Sequence, residues 1–191
     1  MNDQLLRQFI TSIISPTEAE WSDFRQRLTE THFCKGEKLV NRGKPCTSLY
    51  FIQEGIARHY FLDHKKQEIT TWFSQPGTLA TDYGAFTMRL TAQFGVQAVT
   101  DIQAWKITFS DLQELYDQYK NWERLGRLIN QYYLYWLIER NNTMYIKTAR
   151  QRYDEFCDQQ GHLFNYVPLK HLATYLGITI ETLSRLRSGA Y

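Results

Sequence analysis

The sequence predicts an α+β protein: a closed or sandwiched antiparallel β structure, then a long helix, then a small all-α segment. Three observations carry this. Six of the ten glycines and two of the four prolines fall between Gly36 and Gly95, where apolar and polar residues alternate in short runs. From Ser110 to Gln160 there is no proline and a single glycine, Gly126, and apolar residues recur every three or four positions. The last thirty residues place small, glycine and aliphatic positions at the spacing of two crossing helices. With 43% hydrophobic and 22% charged residues, a chain of 191 has material for a packed core. No apolar run nears the ~20 residues that a membrane span needs.

The opening segment MNDQLLRQFITSIIS spaces Leu5, Leu6, Phe9, Ile10, Ile13 and Ile14 as an amphipathic helix. Asp3 and Arg7 interrupt the apolar stretch that a secretory signal would require. In the glycine-rich region, SLYFIQ and IARHYFL flank Glu54-Gly55, which predicts a tight hairpin. Asp63 to Gln67 then turns the chain into EITTWFS, and Val96, Ala98, Ile102 and Ala104 keep a two-residue period across Thr100-Asp101. Short strands with turns every few residues suit a sandwich or barrel.

Ser110, followed by Asp111 and Glu114, reads as the start of the long helix, a hydroxyl cap ahead of acids at the positive end. Trp122, Ile129 and Trp136 lie seven apart, as do Leu125 and Tyr132, while Leu128, Tyr133, Tyr135 and Leu137 make other sides apolar too. Such a helix touches two neighbours, its own β domain and another subunit. Periodicity alone is equally consistent with a helix buried in a monomeric core. Asn141-Asn142-Thr143 are poor helix formers and mark an expected hinge, after which MYIKTARQRYDEFCDQQ runs helically to a cap at Gly161. Cys34, Cys46 and Cys157 are widely spaced and form no metal-ligand pattern, which predicts reduced thiols packed as small apolar groups.

The segment LKHLATYLGITIETLSRLRSG carries the mechanism. Counting from Leu169, Ala173 is fifth, Gly177 ninth, and Leu183 and Leu186 fifteenth and eighteenth. A small residue permits close approach of two helices, the glycine turns the chain in a left-handed conformation, and the leucines lock the second helix onto the first. Pro168 suits the start of the first helix, and Thr179 is a fitting cap for the second. That second helix displays Thr179, Ile180, Glu181, Ser184, Arg185 and Ser188 away from its leucines. Arginine can donate to guanine, glutamate can accept from cytosine, and hydroxyls at a helix N-terminus can hold phosphate, the chemistry of a helix-turn-helix in a major groove.

LATYLGITIETLSRLR resembles the recognition motif of the Crp/Fnr superfamily of bacterial transcription regulators. KGEKLVNRGKPCTSLYFIQEGIARHYFL is similar to the first half of that family's cyclic-nucleotide-binding β-roll, with Gly36-Glu37, Gly43 and Gly55 at its turns. The resemblance extends over the whole chain. It implies a jelly-roll-like β-roll sensor domain over residues 1–110, a long dimerisation helix and hinge over 111–143, and a helix-turn-helix DNA-binding domain over 144–191. It also implies a cytoplasmic homodimer on a near-palindromic double-stranded DNA operator, with RNA polymerase as a further partner and no membrane association. The DNA-binding residues it implies are Thr179, Glu181, Thr182, Ser184 and Arg185, with Glu181 and Arg185 at the base-reading positions and Thr179 and Thr182 at the phosphate-contacting ones. Ile180 stands where the best-known members carry a second base-reading arginine, which implies a different operator. The β-hairpin wing that usually follows the recognition helix is missing before Tyr191, which implies a compact, wingless branch with weaker grip on the DNA backbone.

The family binds a cyclic nucleotide through a Gly-Glu stretch and a later arginine. Aligning Val96 and Ala98 with the strand that follows puts Thr81-Asp82 at the first and Ala92 at the second. Alanine cannot neutralise a phosphate, so control by cyclic AMP is not expected. Asp82, Tyr83 and Arg89 are the candidates for an effector pocket, Arg89 only if the loop were rebuilt, and Tyr83, Phe86 and Phe94 also read as core. The effector itself is unknown from the sequence. An alternative is a small-molecule-binding or cupin-like metalloenzyme whose C-terminal helices merely pack, with His59, His64 and Glu68 as ligands. Those histidines are five apart, whereas the cupin pattern wants two. No Ser/His/Asp or Cys/His spacing and no phosphate loop is present, so no catalytic residue, metal or cofactor is expected.

Net charge is +2, and it divides unevenly: residues 145–191 hold six basic and four acidic groups, and the rest of the chain balances. That surplus is too small for tight non-specific binding by one subunit, which points to a salt-sensitive dimer needing two half-sites.

Overall fold

The computed structural model describes residues 2–189. Its helices are α1 (Gln4–Thr11) and α2 (Glu18–Gln26), then, after the first strands, α3 (Tyr83–Met88), α4 (Phe109–Gln118), α5 (Lys120–Ile146), α6 (Ala149–Gln160), α7 (Leu169–Leu176) and α8 (Ile180–Ser188), with a 3-10 turn at Gly161–Asn165. The strands are β1 (Thr29–Phe33), β2 (Lys38–Val40), β3 (Ser48–Glu54), β4 (Ala57–Leu62), β5 (Glu68–Ser74), β6 (Leu79–Ala80), β7 (Gly95–Ala98) and β8 (Ile102–Thr108). They form two four-stranded sheets, ordered β1-β8-β3-β6 and β2-β7-β4-β5. The antiparallel pairs include β1 with β8, from Thr29 opposite Lys106 to Phe33 opposite Ile102, and β3 with β8.

This order corrects the expected hairpin at Glu54-Gly55. β3 and β4 lie in different sheets, so the link throws the chain from one layer to the other. Gly55 sits at φ +90°, and a Cβ there would fall 2.1 Å from the Asp101 carbonyl oxygen. Next to it, Ile56 N–H donates to the Thr100 hydroxyl at 2.9 Å, and Val99 N–H donates to the Ile56 carbonyl at 2.7 Å. The β7–β8 link is a second such corner, and the two corners bond to each other instead of each folding back on itself. Asp63, by contrast, makes the expected turn between β4 and β5, its carboxylate accepting from the N–H groups of Lys65 and Gln67.

The long helix also differs from expectation. Thr108, not Ser110, is the cap, its hydroxyl accepting from Asp111 N–H at 3.2 Å. α4 stops at Tyr119, whose backbone is extended (φ −135°, ψ 117°), and α5 starts afresh at Lys120. The restart accompanies burial of Trp122, which is wholly buried and stacks on Phe24 with ring centroids 4.2 Å apart. The expected hinge at Asn141-Asn142-Thr143 is absent, since α5 runs unbroken through it to Ile146. The helix ends instead before Thr148, which caps α6 in a reciprocal pair with Gln151. Asparagine and threonine cost a helix only about 0.5 kcal/mol each, and contacts made by their neighbours outweigh that. Arg140 stacks over the Tyr175 ring at 4.1 Å, and the Met144 methyl lies against Gly177.

The chain divides into two compact units. One comprises residues up to His59 together with Phe73–Tyr132; the other comprises Tyr60–Trp72 and the chain from Tyr133 onward. The first has a core in which Ile52, Ala57, Ala80, Val96, Ala104, Leu115 and Trp122 are fully buried. In the second, Leu163, Leu172 and Leu183 are fully buried beside the rings of Phe156, Phe164 and Tyr175. Within that unit the β4–β5 turn region meets α7, where Thr70 N–H donates to the Thr174 hydroxyl at 3.2 Å.

Candidate nucleic-acid interface

α7 and α8 form the helix pair that the spacing predicted. Ala173 is 1% exposed at the crossing, and Gly177 caps α7 in the left-handed region (φ +65°, ψ 38°). Thr179 is extended and its hydroxyl accepts from Thr182 N–H at 3.1 Å, closing the first turn of α8. Leu183 and Leu186 are buried, while Thr179, Ile180, Glu181, Ser184 and Arg185 are exposed and Thr182 is half-buried. Of the five candidate residues, Glu181, Ser184 and Arg185 face away from the leucines, Thr179 caps the helix, and Thr182 lies at the edge of the buried side.

Glu181 is held below the usual carboxylate range, first by its own backbone N–H at the open end of α8, then by the Thr179 hydroxyl, with Arg185 one turn along adding to the effect. It is thus an acceptor at neutral pH.

Two further residues, not anticipated, hold the motif in place. Arg152 donates from Nε to the Leu176 carbonyl at 2.7 Å and from Nη2 to the Gly177 carbonyl at 3.4 Å. Arg140 donates to the Tyr175 carbonyl. The last carbonyls of α7 have no partner within the helix, and two cations there satisfy them and suit the negative end. Burial pushes the Arg140 guanidinium below its usual value. These partners are 24 and 35 residues apart in the chain, so nothing in the local sequence pattern pairs them. Lys170 and Arg187 are exposed in the same unit, Arg187 lying over the Phe164 ring at 5.0 Å. The expected absence of a wing concerns residues beyond Gly189, outside the described residues.

The effector candidates do not converge. Asp82 is buried and caps α3: one oxygen accepts from Ala85 N–H, the other from Gln93 N–H at 2.7 Å and Phe94 N–H at 2.9 Å. Its lone pairs serve the backbone of the following loop, a structural role that the sequence reading missed. Arg89 is exposed, in the left-handed region (φ 55°), over the Phe109 ring at 5.1 Å. Tyr83 lines an apolar cavity to which neither Asp82 nor Arg89 contributes. Ala92 is 1% exposed, with its backbone bonded to Gly43 and Lys44.

The metal alternative fares similarly. His59 is bonded to the Ser74 hydroxyl at 2.8 Å, and burial, partly opposed by Asp82, lowers its pKa to about 4. Among the described residues no group of three or more His, Cys, Asp or Glu is placed to hold a metal ion. The cysteines are free, Cys46 buried with its sulfur 3.2 Å from the Thr81 hydroxyl. Among the described residues no helix is long and apolar enough to cross a membrane.

The chain thus combines two antiparallel four-stranded sheets, a long helix and a compact group of C-terminal helices. Residues 30–119 match the cyclic nucleotide-binding domain family. Solved structures share the fold across both units' elements. FixK2 from Bradyrhizobium japonicum is 19% identical with a TM-score of 0.72, over 85% of this chain and 83% of that one. A protein of Eubacterium rectale assigned to the Crp/Fnr family of transcriptional regulators is 18% identical with a TM-score of 0.68, over 91% and 83%. The c-di-GMP responsive global regulator CLP of Xanthomonas campestris is 14% identical with a TM-score of 0.63, over 91% of each chain. No curated protein matches the chain in sequence. The chain has the Crp/Fnr fold, its residues 30–119 are similar to a cyclic nucleotide-binding domain, and the Eubacterium and Xanthomonas neighbours are named as regulators.

Proposed function

We propose that this chain is a homodimeric, sequence-specific DNA-binding transcription regulator acting in the cytoplasm, and that cyclic AMP does not control it. The observation that carries the reading is α8. It is capped by Thr179, locked by Leu183 and Leu186, and offers Glu181, Ser184 and Arg185 to solvent. Arg185 donates to guanine, Glu181 accepts from a cytosine amino group, and Thr179 and Thr182 hold phosphate at the helix N-terminus. Exposed Ile180 suits a thymine methyl where related proteins place an arginine.

The second half of α5 supports dimerisation. Leu134, Leu137 and Ile138 are 57%, 54% and 51% exposed, and Tyr132, Tyr133 and Tyr135 stand beside them. A contiguous apolar surface of this kind marks an interaction site, and pairing α5 with its copy would set two recognition helices on successive major grooves. Loss of cyclic AMP control follows from Ala92 and from an Asp82 whose oxygens are already engaged. RNA polymerase is the further partner at a promoter.

The deciding experiment is selection of bound sequences from random DNA. A near-palindromic consensus is expected, and recovery of no consensus would sink the reading. Arg185→Ala should weaken binding to the selected site by about 1–3 kcal/mol and relax one base position in each half-site. Equal loss on every sequence would assign Arg185 to phosphate alone.

A further inference from the structure

The first unit holds a partly open cavity of about 260 Å³ between one face of the β1-β8-β3-β6 sheet and the helices that cover it. Its floor is two cross-strand pairs, Leu49 opposite Ile107 and Phe51 opposite Trp105. Leu112 of α4 and Trp122, Leu125 and Ile129 of α5 form part of its cover. Protein interiors are close-packed, and an apolar cavity of ~150 Å³ already takes up benzene. This one is larger.

Its chemistry narrows what could enter. No Asp, Glu, Lys, Arg or His lines it, so a phosphorylated or carboxylate ligand would be left without a counter-charge. The polar groups along its wall are neutral: the hydroxyls of Tyr83, Thr87 and Tyr116 and the amides of Gln113 and Asn130. Trp105 and Trp122 are 1% and 0% exposed, and neither indole N–H has a partner among the described residues. Both indole nitrogens are closed off from any water-sized space, so neither is offered to an occupant. Tyr116 also lines the cavity, and burial pushes its pKa up, so its hydroxyl stays protonated. Gly126 seats that hydroxyl: a Cβ there would stand 2.4 Å from it, so a mid-helix glycine, unfavourable for α5, lets the phenol lie against the helix.

We propose that this cavity is a binding site for a neutral, largely apolar molecule of bicyclic size that presents a hydrogen-bond acceptor, such as an aromatic ketone. The site is separate from Asp82 and Arg89, and it does not depend on the DNA-binding reading. Because α5 supplies part of the cover, an occupant presses directly on that helix.

The test uses the full chain and 1-tetralone, a neutral bicyclic ketone, followed by tryptophan fluorescence and thermal melting without DNA. Saturable one-to-one binding with a raised Tm is expected. Ile129→Phe and Leu112→Phe, which add volume inside the cavity, should each weaken binding at least tenfold while the chain still melts cooperatively. Tyr116→Phe should weaken it severalfold. Absence of saturable binding by the unmodified chain up to the solubility of 1-tetralone overturns the proposal, whatever the variants do. So does binding that a folded Ile129→Phe chain retains, because the probe then sits on another apolar surface. Since no DNA is present, failure here leaves the outcome of the DNA selection independent.

Discussion

Gly55 and Gly177 both hold positive φ, +90° and +65°, and both connect elements that a longer side chain would disturb. They differ in what surrounds them. At Gly177 the atom nearest a hypothetical Cβ is the Met144 methyl at 2.3 Å, the free end of a flexible side chain. At Gly55 it is the backbone oxygen of Asp101 at 2.1 Å, with the Asp101 carbonyl carbon and Ile102 Cα both at 3.0 Å. One glycine serves a local turn. The other lets two distant chain corners close on each other, so its requirement is set by a residue 46 positions away. Position in a local motif and position in a topology make different demands on the same residue type.

The contrast makes graded predictions. Gly55→Ala should be the most damaging, since the Asp101 carbonyl cannot recede without opening the corner between sheets; a loss of about 4 kcal/mol in urea unfolding is expected, the exceptional end of single substitutions. A loss below about 1 kcal/mol would mean the two corners tolerate separation. The β-roll should also be the acid-sensitive region. His59 has its pKa depressed from 6.5 to about 4, chiefly by burial, so the unfolded chain takes up a proton that the folded one refuses. Stability is therefore fully present above pH 6.5 and falls as pH drops towards 4, by at most about 3 kcal/mol. His59→Gln should flatten the decline, and an identical pH profile in that variant would assign the acid sensitivity elsewhere.

At the other glycine the expected effect is smaller. Gly177→Ala should cost about 1–2 kcal/mol, the strain of a left-handed alanine, with Met144 moving aside. Adding Met144→Ala should not deepen the loss; if it restores nearly all of it, the methyl contact rather than backbone strain was limiting. The smallest effect belongs to the cap. Thr179→Ala should lower stability by about 1 kcal/mol through loss of the bond from Thr182 N–H. DNA affinity measured on the same variant would then separate fold from phosphate contact, because a phosphate role adds a loss that stability does not show.

The crossing helix pair α7 and α8 was legible residue by residue. Ala173, Gly177, Thr179, Leu183 and Leu186 lie within fourteen positions of one another, and their roles depend on helical spacing that local chemistry sets. The short-strand character of the β-roll was legible for the same reason. Strand partnership was not, since alternation of apolar residues tells a strand which face to bury but not which neighbour to pair with. Hence the expected hairpin at Gly55 became a crossing between sheets. Asn141-Asn142-Thr143 misled because weak helix propensity was read without the contacts of Arg140 and Met144, which only the folded unit supplies.

By itself the sequence determined the class of structure and the placement of the second helix's exposed polar residues. Each follows from residue type and short-range periodicity. Tertiary structure alone decided that Asp82 is spent on backbone N–H groups, that Arg140 and Arg152 hold the end of α7, and that an uncharged cavity lies beneath α5. Those features rest on atoms brought together from far along the chain, and the free energy that joins them comes from packing, which local sequence does not encode.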